Sequence, residues 1–290
     1  MTSEAPDVDG EFEVRQWIID QQDHDQRLDK VLVRHVPEFS RTHLQALIER
    51  GCVNLAGQVV RQASARPRVG QPIGIELHPT EQAQAFKPQA MDLVVVHEDE
   101  HFMVIDKPVG LVVHPAPGNW SGTLLNGLLA RDAGAARLPR AGIVHRLDKD
   151  TSGLMLVARS QPAVQALVQA IAERRVQRHY LALAHGHLKL AEQTVDAPIG
   201  RDPRIRVKMA VVSTGRSSQT TVRVVGQSQP AVTAVECRLH TGRTHQIRMH
   251  LAHLGHPLVG DALYGGRPWQ GLERQALHAR RLSLQHPGSG

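Results

Sequence analysis

The stretch AGIVHRLDKDTSGLMLVAR, residues 141–159, decides the fold, because it places one carboxylate in a polar loop between two short apolar segments. Ile143 and Val144 lead into the loop, and residues 154–157 lead out of it. The residues between them have the Asp, Thr, Ser and Gly content of a tight turn. This layout predicts that Asp148 is held at a sheet edge, as in a rigid catalytic loop. The alternative is that DKDTSG is only a solvated turn, and the remaining segments must decide between the two.

Charge is distributed unevenly along the 290 residues. The whole chain carries a formal charge of +6, yet residues 1–30 hold nine acidic and three basic residues. The remaining residues therefore contain 31 basic and 19 acidic side chains, a net charge of +12. Such a surface attracts polyanions, so nucleic acid is the expected partner class. Aromatic residues make up only 3% of the chain, which favours recognition of RNA shape and phosphates over extended base stacking.

Length and cysteine content indicate the general class of protein. A chain of this length accommodates one large and one small domain, and we expect two. No apolar segment is long enough for a transmembrane helix, and the acidic N-terminus differs from a signal peptide. Cys52 and Cys237 are too few for a disulfide framework or a thiolate metal site. We therefore expect a soluble, cytoplasmic protein that does not bind membranes.

The N-terminal part contains the pattern of a small α/β module. A polar leader, residues 1–24, ends in a predicted strand at 14–19. Leu28, Val31, Leu32 and Val36 recur at helical spacing, and a second helix is predicted between a capping Ser40 and a terminating Gly51. Its polar face carries Arg41, His43 and Arg50. Strands are predicted at 53–60 and 73–77, and a segment rich in Gln, Ala and Pro at 79–90 has the composition of a linker.

From residue 93 onward the pattern is rich in strands. LVVV, FMVI and LVVHP predict a hairpin that runs into a third strand, and further strands are expected near 180–184, 220–225 and 232–239. Helices are predicted at 124–130 and 163–171, the second with Val164, Leu167, Val168 and Ile171 on one face. Because strands and helices mix without strict alternation, the predicted class is α+β, with a mixed, largely antiparallel sheet.

The motif HRLDKDTSG, residues 145–153, resembles the central motif of the RNA pseudouridine synthases in the branch that includes the RluA, RluC and RluD enzymes. Other segments match the same family in the expected order: VIDKPVGLVVHP (104–115), RHYLALAHG (178–186), LHTGRTHQIRMHLAHLGHPLVGDALYG (239–265) and LHARRLSLQHP (277–287). The sequences of three further segments are most similar to the RluD type: PAPGNWSGTLLNGLL, APIGRDP and RQALHA. The N-terminal module resembles the S4 RNA-binding domain that precedes the catalytic domain in many of these enzymes.

This resemblance implies a domain organisation. It comprises an acidic leader (1–24), a small S4-like RNA-binding domain (25–78), a linker (79–90) and a pseudouridine synthase catalytic domain (91–290) with flanking helices. The chain ends at HPGSG, where the family pattern continues into a further strand, a helix and an acidic tail, so the catalytic domain is expected to be shortened.

The resemblance also implies a chemistry, in which uracil is detached from ribose C1′, turned and rejoined through C5 without cofactor or metal. Asp148 matches the family's catalytic aspartate, acting either as a nucleophile or through a glycal-like path. Arg248 matches its charge partner, in a helix that Thr244 is predicted to cap. Tyr180 is implied to stack on the base, and Arg146 to fill the space left by the flipped nucleotide. His145 is implied to make a phosphate or loop contact, and Arg243 to contact phosphate or anchor a loop. Asp150 has no matching role and is predicted to be a turn residue.

The expected partner is structured RNA, with 23S ribosomal RNA or a pre-50S particle favoured over transfer RNA. We expect the protein to act as a monomer that requires no protein partner. Arg41 and Arg50 are the predicted RNA contacts of the small domain.

Two other classes of protein remain as alternatives. One is a metal-dependent hydrolase using His240, His245, His250, His253 and His256, which lack an evident common focus. The other is a non-catalytic RNA-binding or ribosome assembly factor, which would not need Asp148, Tyr180 and Arg248 together.

Overall fold

A computed structural model of the protein describes residues 12–78, 80–205, 207–229 and 231–289. The chain forms two compact units, the first ending at Gln84 and the second beginning at Ala85. Most of the predicted leader's acidic stretch, residues 1–11, lies outside the described residues. The predicted linker at 79–90 includes the division between the units. Its later part packs within the second unit, where the Asn126 amide donates to the backbone oxygens of Ala85 and Lys87.

The first unit packs two helices on one antiparallel sheet. Its elements are β1 (Glu13–Ile18), α1 (Leu28–His35), α2 (Arg41–Arg50), β2 (Val53–Leu55), β3 (Gln58–Val59) and β4 (Pro72–Leu77). The sheet order is β1-β4-β2-β3. The Ser40 hydroxyl accepts a hydrogen bond from the backbone N–H of His43, and Gly51 ends α2 in the left-handed region, so both predicted helix signals are confirmed.

A buried carboxylate joins the two helices of this unit. Asp29 of α1 is fully buried and accepts hydrogen bonds from the guanidinium groups of Arg27 and Arg41 and from the Gln45 amide. Burial opposes ionisation of Asp29, but these three hydrogen-bond partners outweigh it and hold the pKa of Asp29 well below its usual range. Arg41, predicted as an RNA contact, thus also has a structural partner, and its side chain remains half exposed.

Replacing Asp29 with Asn is expected to lower the free energy of unfolding by about 3 kcal/mol at pH 7, because it leaves two guanidinium groups without their shared carboxylate. A carboxyl with a lowered folded-state pKa stabilises above its unfolded pKa, and this stability disappears as the pH falls through the folded value. The difference between the variant and the parent protein should therefore shrink below about pH 4. Urea unfolding followed by circular dichroism measures it.

Asp25→Asn is the matched control, since the Asp25 carboxylate pairs with Arg66 at 3.1 Å on the exposed surface. Surface pairs contribute little, so this variant should unfold almost like the parent protein. Equal destabilisation by the two substitutions would contradict the structural role assigned to Asp29.

The second unit is built on one large sheet. Its strands are β5 (Val94–Glu98), β6 (Phe102–Lys107), β7 (Ser152–Ala158), β8 (Gln177–His185), β9 (Glu192–Asp196), β10 (Ile199–Arg201), β11 (Met209–Val211), β12 (Gln219–Ser228), β13 (Val232–Leu239) and β14 (Leu277–Ser283). Its helices are α3 (Leu124–Arg131), α4 (Gln161–Ala172) and α5 (Gln246–His253). Eight strands pair in the order β5-β6-β7-β14-β8-β13-β12-β9, and only β7 and β14 run parallel. The predicted α+β class with a mixed, largely antiparallel sheet is confirmed.

Helices cover both faces of this sheet. Met103, Ile105 and Met155 point to the face that packs against α3 and α5, whereas their neighbours Phe102 and Leu156 point to the face covered by α4. This is the alternation expected where a strand is covered on both faces, as β6 and β7 are. In the part of the chain that the structure describes, no helix is long and apolar enough to cross a membrane.

Two predictions about the elements that cover this sheet are wrong. LVVHP, residues 111–115, is not a third strand, because the edge of β6 is occupied by β7 and the carbonyls of Val112 and Val113 instead accept from the first N–H groups of α3. Val168 of α4 is not on the buried face but half exposed, since the helix rests on the sheet mainly through Val164 and Leu167.

Candidate active site

A buried lysine holds the backbone of the loop that carries Asp148. The ammonium group of Lys107, at the end of β6, is fully buried and donates to the backbone oxygens of Pro108, Leu111 and Lys149. Burial lowers the pKa of Lys107 to about 8, although Asp150 and Asp148 act in the opposite direction. Because Lys149 follows Asp148 directly, this cation fixes the backbone at the carboxylate.

The rest of the motif serves the same geometry. Arg274 donates to the backbone oxygen of Asp150, so the contact made here by Asp150 comes from its main chain. Gly153 has φ of +110° and lies so close to the Ala279 backbone of β14 that a Cβ would collide with it. The HRLDKDTSG loop is therefore tied to three separate segments of the unit and is not a solvated turn.

A single arginine connects two carboxylates. Arg248 of α5 donates from Nε and NH2 to both oxygens of Asp261, at 2.7 and 2.9 Å, and from NH1 to Asp148 Oδ2 at 3.1 Å. The Tyr264 ring lies 5.1 Å from the guanidinium carbon. Burial would lower the pKa of Arg248, but Asp261 and then Asp148 outweigh it and raise that pKa. The guanidinium thus remains a permanent cation beside the Asp148 carboxylate.

The start of α5 differs from the prediction. Thr244 does not cap the helix: the chain turns at His245, whose φ of +54° is left-handed, and α5 begins at Gln246. The buried Gln246 side chain instead holds the turn that precedes the helix, since its oxygen accepts from the Thr241 hydroxyl and from the backbone N–H of Arg243. A long amide side chain inside the turn reaches these donors, while Thr244 points to solvent.

His245 lies beside the Asp148 oxygen that Arg248 does not hold. Its Nδ1 is 2.8 Å from the Tyr264 hydroxyl, and its Nε2 is 4.0 Å from Asp148 Oδ1. The Tyr264 hydroxyl already accepts from the backbone N–H of Met209, so its own proton is available to His245 Nδ1. Burial lowers the pKa of His245 despite the nearby Asp148. This arrangement favours a neutral ring with its Nε2–H directed towards the carboxylate.

Asp148 and Tyr180 line one cavity of about 380 Å³. Tyr180 of β8 is almost fully buried, and burial raises the pKa of its hydroxyl to about 12, so the group is protonated at neutral pH. Arg146 is exposed at the cavity, and Arg243 donates from Nε to the Ser217 carbonyl. Leu147 is buried, in agreement with its predicted packing role.

His145 occupies an internal position in the loop. Its Nε2 accepts a hydrogen bond from the backbone N–H of Leu156 in β7, at 2.9 Å. Burial, and then the Arg178 guanidinium, lower the pKa of His145 to about 3. The ring is therefore neutral and forms the loop contact that was one of its two predicted roles.

The five histidines of the metal-site alternative do not converge. His250 is bound to the Thr220 hydroxyl and the Ala197 carbonyl, His256 to the His185 carbonyl, and His240 to the Thr221 hydroxyl. Hydroxyl and carbonyl partners at these ring nitrogens indicate structural roles. Across the described ranges, the side chains close enough to share a cation are Cys52, Glu76 and His78 of the first unit, none of which belongs to this set.

Three residues that complete this site were not predicted from the sequence: Asp261, Tyr264 and Lys107. Each lies inside a stretch that was noted for other reasons. A charged residue at the end of an apolar strand, as in FMVIDK, or inside an apolar run, as in PLVGDALYG, indicates a buried charge with a defined partner. The partners themselves cannot be identified from that pattern.

Comparison with known proteins follows the same division of the chain. The model of the family described as RNA pseudouridylate synthase matches residues 101–253, which is more than half of the chain. The chain belongs to the RNA pseudouridylate synthase family. The S4 domain model matches residues 26–73 of this synthase, within the unit that ends at Gln84.

Individual relatives support the assignment. The ribosomal large subunit pseudouridine synthase D of Xanthomonas campestris pv. campestris is 47% identical over 290 residues, covering 96% of this chain and 86% of that protein. The enzyme of the same name from Xylella fastidiosa is 48% identical over 276 residues, covering 90% and 82%. The solved structure of human RNA pseudouridylate synthase domain containing 1 has a TM-score of 0.53 and 31% identity, covering 68% of this chain and 80% of that one. The predicted resemblance to the RluD type is confirmed, and the chain is an RNA pseudouridine synthase, an isomerase whose substrate is RNA.

Proposed function

We propose that this synthase isomerises uridines of 23S ribosomal RNA, free or in a pre-50S particle, and that it acts in the cytoplasm as a monomer without a protein partner. The observation that carries the proposal is the similarity to relatives named for the large ribosomal subunit over nearly the whole chain, including the S4 domain. The charge of +12 outside residues 1–30 supports a polyanionic substrate of this size.

Asp148 is the proposed catalytic carboxylate. Arg248 holds one of its oxygens, which leaves Oδ1 on the His245 side for the ribose. Both the nucleophilic route and the glycal-like route use the carboxylate form of Asp148, and Arg248 NH1 donates to that group at 3.1 Å. A single carboxylate suits isomerisation, because hydrolytic glycosidases usually need a second one to activate water. Tyr180 is proposed to stack on the uracil and to assist proton transfer at C5.

The target uridine must leave its stack before C1′ can reach Asp148. Exposed at the cavity beside Asp148, Arg146 is proposed to occupy the space that the flipped nucleotide leaves. Arg243 of the second unit, and Arg41 and Arg50 of the S4 domain, are proposed to contact RNA phosphates. The neutral His145 acts within the catalytic loop and does not form an ion pair with phosphate.

The experiment that tests this proposal uses unmodified transcripts. Purified protein is incubated with 23S ribosomal RNA and with a transfer RNA pool, and pseudouridines are mapped at nucleotide resolution. We expect new pseudouridines in the ribosomal transcript or in pre-50S particles that carry unmodified RNA. Modification confined to transfer RNA would reject the ribosomal target while retaining the synthase activity.

A further inference from the structure

Arg178 is a buried cation that has no hydrogen-bond or ion-pair partner among the described residues. It lies two residues before Tyr180 on the same face of β8, is 5% exposed, and lines the cavity that contains Asp148. No hydrogen bond or ion pair joins its guanidinium to any residue in the described ranges, and its Nε is buried without a partner. Burying a charge without a partner is destabilising, because the desolvation of the charge is not compensated. Such a group needs an explanation outside the folded chain.

A second unpartnered donor lines the same cavity. His145 Nε2 accepts from Leu156, so in the neutral ring the proton resides on Nδ1. That Nδ1 is also buried without a hydrogen-bond partner among the described residues. Arg178 and His145 therefore place unpaired donors in the wall of the cavity that Tyr180 and Asp148 also line.

We propose that Arg178 and the His145 Nδ1–H bind the carbonyl oxygens of the extruded uracil, and that Arg178 stabilises the negative charge on the detached base. The proposal rests on the proposed catalytic role of Asp148. Uracil presents acceptor oxygens at C2 and C4, which match the donors of Arg178 and His145. Arg178 is the stronger of the two donors, since it is charged and its side chain is buried.

The charge appears when the glycosidic bond breaks. The C1′–N1 electron pair leaves with the base, which becomes an anion delocalised over N1, O2 and O4. On the nucleophilic route C1′ bonds to Asp148, and on the glycal-like route Asp148 takes the C2′ proton. The base then turns and C5 bonds to C1′. On the nucleophilic route the C1′–Asp148 bond breaks as this bond forms, and on the glycal-like route Asp148 returns the proton to C2′. The C5 proton is then lost and N1 gains a proton. Donors placed where charge develops lower the barrier of the first step more than they strengthen substrate binding.

Arg178→Met in the full-length protein tests this role. We expect the single-turnover rate to fall on the order of 10²- to 10³-fold, with the Kd for RNA changed less than about threefold. The Tm should stay equal or rise, because the variant removes an unpaired buried charge. A Cβ on Gly242 would lie 2.8 Å from Arg178 NH1, so Gly242→Ala should displace the guanidinium and lower the rate without removing the charge.

Arg243→Met is the matched comparison, because Arg243 lines the same cavity but is partly exposed and proposed to bind phosphate. It should weaken RNA affinity and reduce the salt dependence of binding. The proposal for Arg178 is overturned if Arg178→Met behaves in this way, with weaker binding and a normal single-turnover rate, or if it lowers the Tm and leaves the rate unchanged. Asp148→Asn in the same assay separates the two claims, since its normal turnover would reject the catalytic carboxylate whatever Arg178 does.

Discussion

Asp148→Asn is expected to reduce pseudouridine formation on the order of 10⁴-fold or more, because it removes the charge that attacks or deprotonates the ribose. The two side chains have nearly the same shape, and Asn can still accept a hydrogen bond from Arg248 NH1. RNA affinity should therefore remain within a few-fold of the parent value. Chromatographic analysis of nucleosides measures product, and filter binding measures affinity.

Asp150→Asn is the control for this substitution. It makes the same chemical change two residues further along the loop, where the described hydrogen bond is made by the backbone oxygen of Asp150 to Arg274. We expect turnover close to that of the parent protein. Normal turnover by Asp148→Asn, or equal loss in both variants, would contradict the assignment of the catalytic carboxylate.

Asp261→Asn is expected to have the second largest effect. Asp261 is buried and holds Arg248 through two hydrogen bonds, so its loss leaves the guanidinium with Asp148 as its only carboxylate partner among the described residues. We expect the free energy of unfolding to fall by about 3 to 5 kcal/mol, as for other broken buried pairs. Displacing Arg248 by even a fraction of an ångström should also misplace Asp148 and lower the single-turnover rate about 10²-fold. Urea unfolding and single-turnover kinetics measure the two effects.

Asp196→Asn serves as its control. The Asp196 carboxylate accepts from the Gln219 amide on the exposed surface of the same unit and forms no described hydrogen bond or ion pair with Arg248. Neither stability nor rate should change appreciably in that variant. If Asp261→Asn retained both the parent stability and the parent rate, Arg248 would not depend on Asp261 for its position.

Local features of the chain predicted much of the fold. The Ser40 and Gly51 signals bounded α2, and the periodicities located most strands, because these depend on contacts within a few residues. The errors arose where distant segments compete for the same groups. The LVVHP segment has the composition of a strand, yet β7 arrives about 40 residues later and takes the edge of β6. Likewise, Thr244 is a good cap in isolation, but the Gln246 side chain already satisfies the turn.

The sequence by itself determined the family, the α+β class and the positions of Asp148, Tyr180 and Arg248, because the motifs that carry them are continuous stretches of chain. Only the tertiary structure decided how those groups are charged and held. Arg248 lies 100 residues from Asp148 in the chain. Its guanidinium is held in place by two hydrogen bonds to the Asp261 carboxylate. The unpaired state of Arg178 is also a property of the fold alone, since burial and the absence of a partner depend on every segment packed around it.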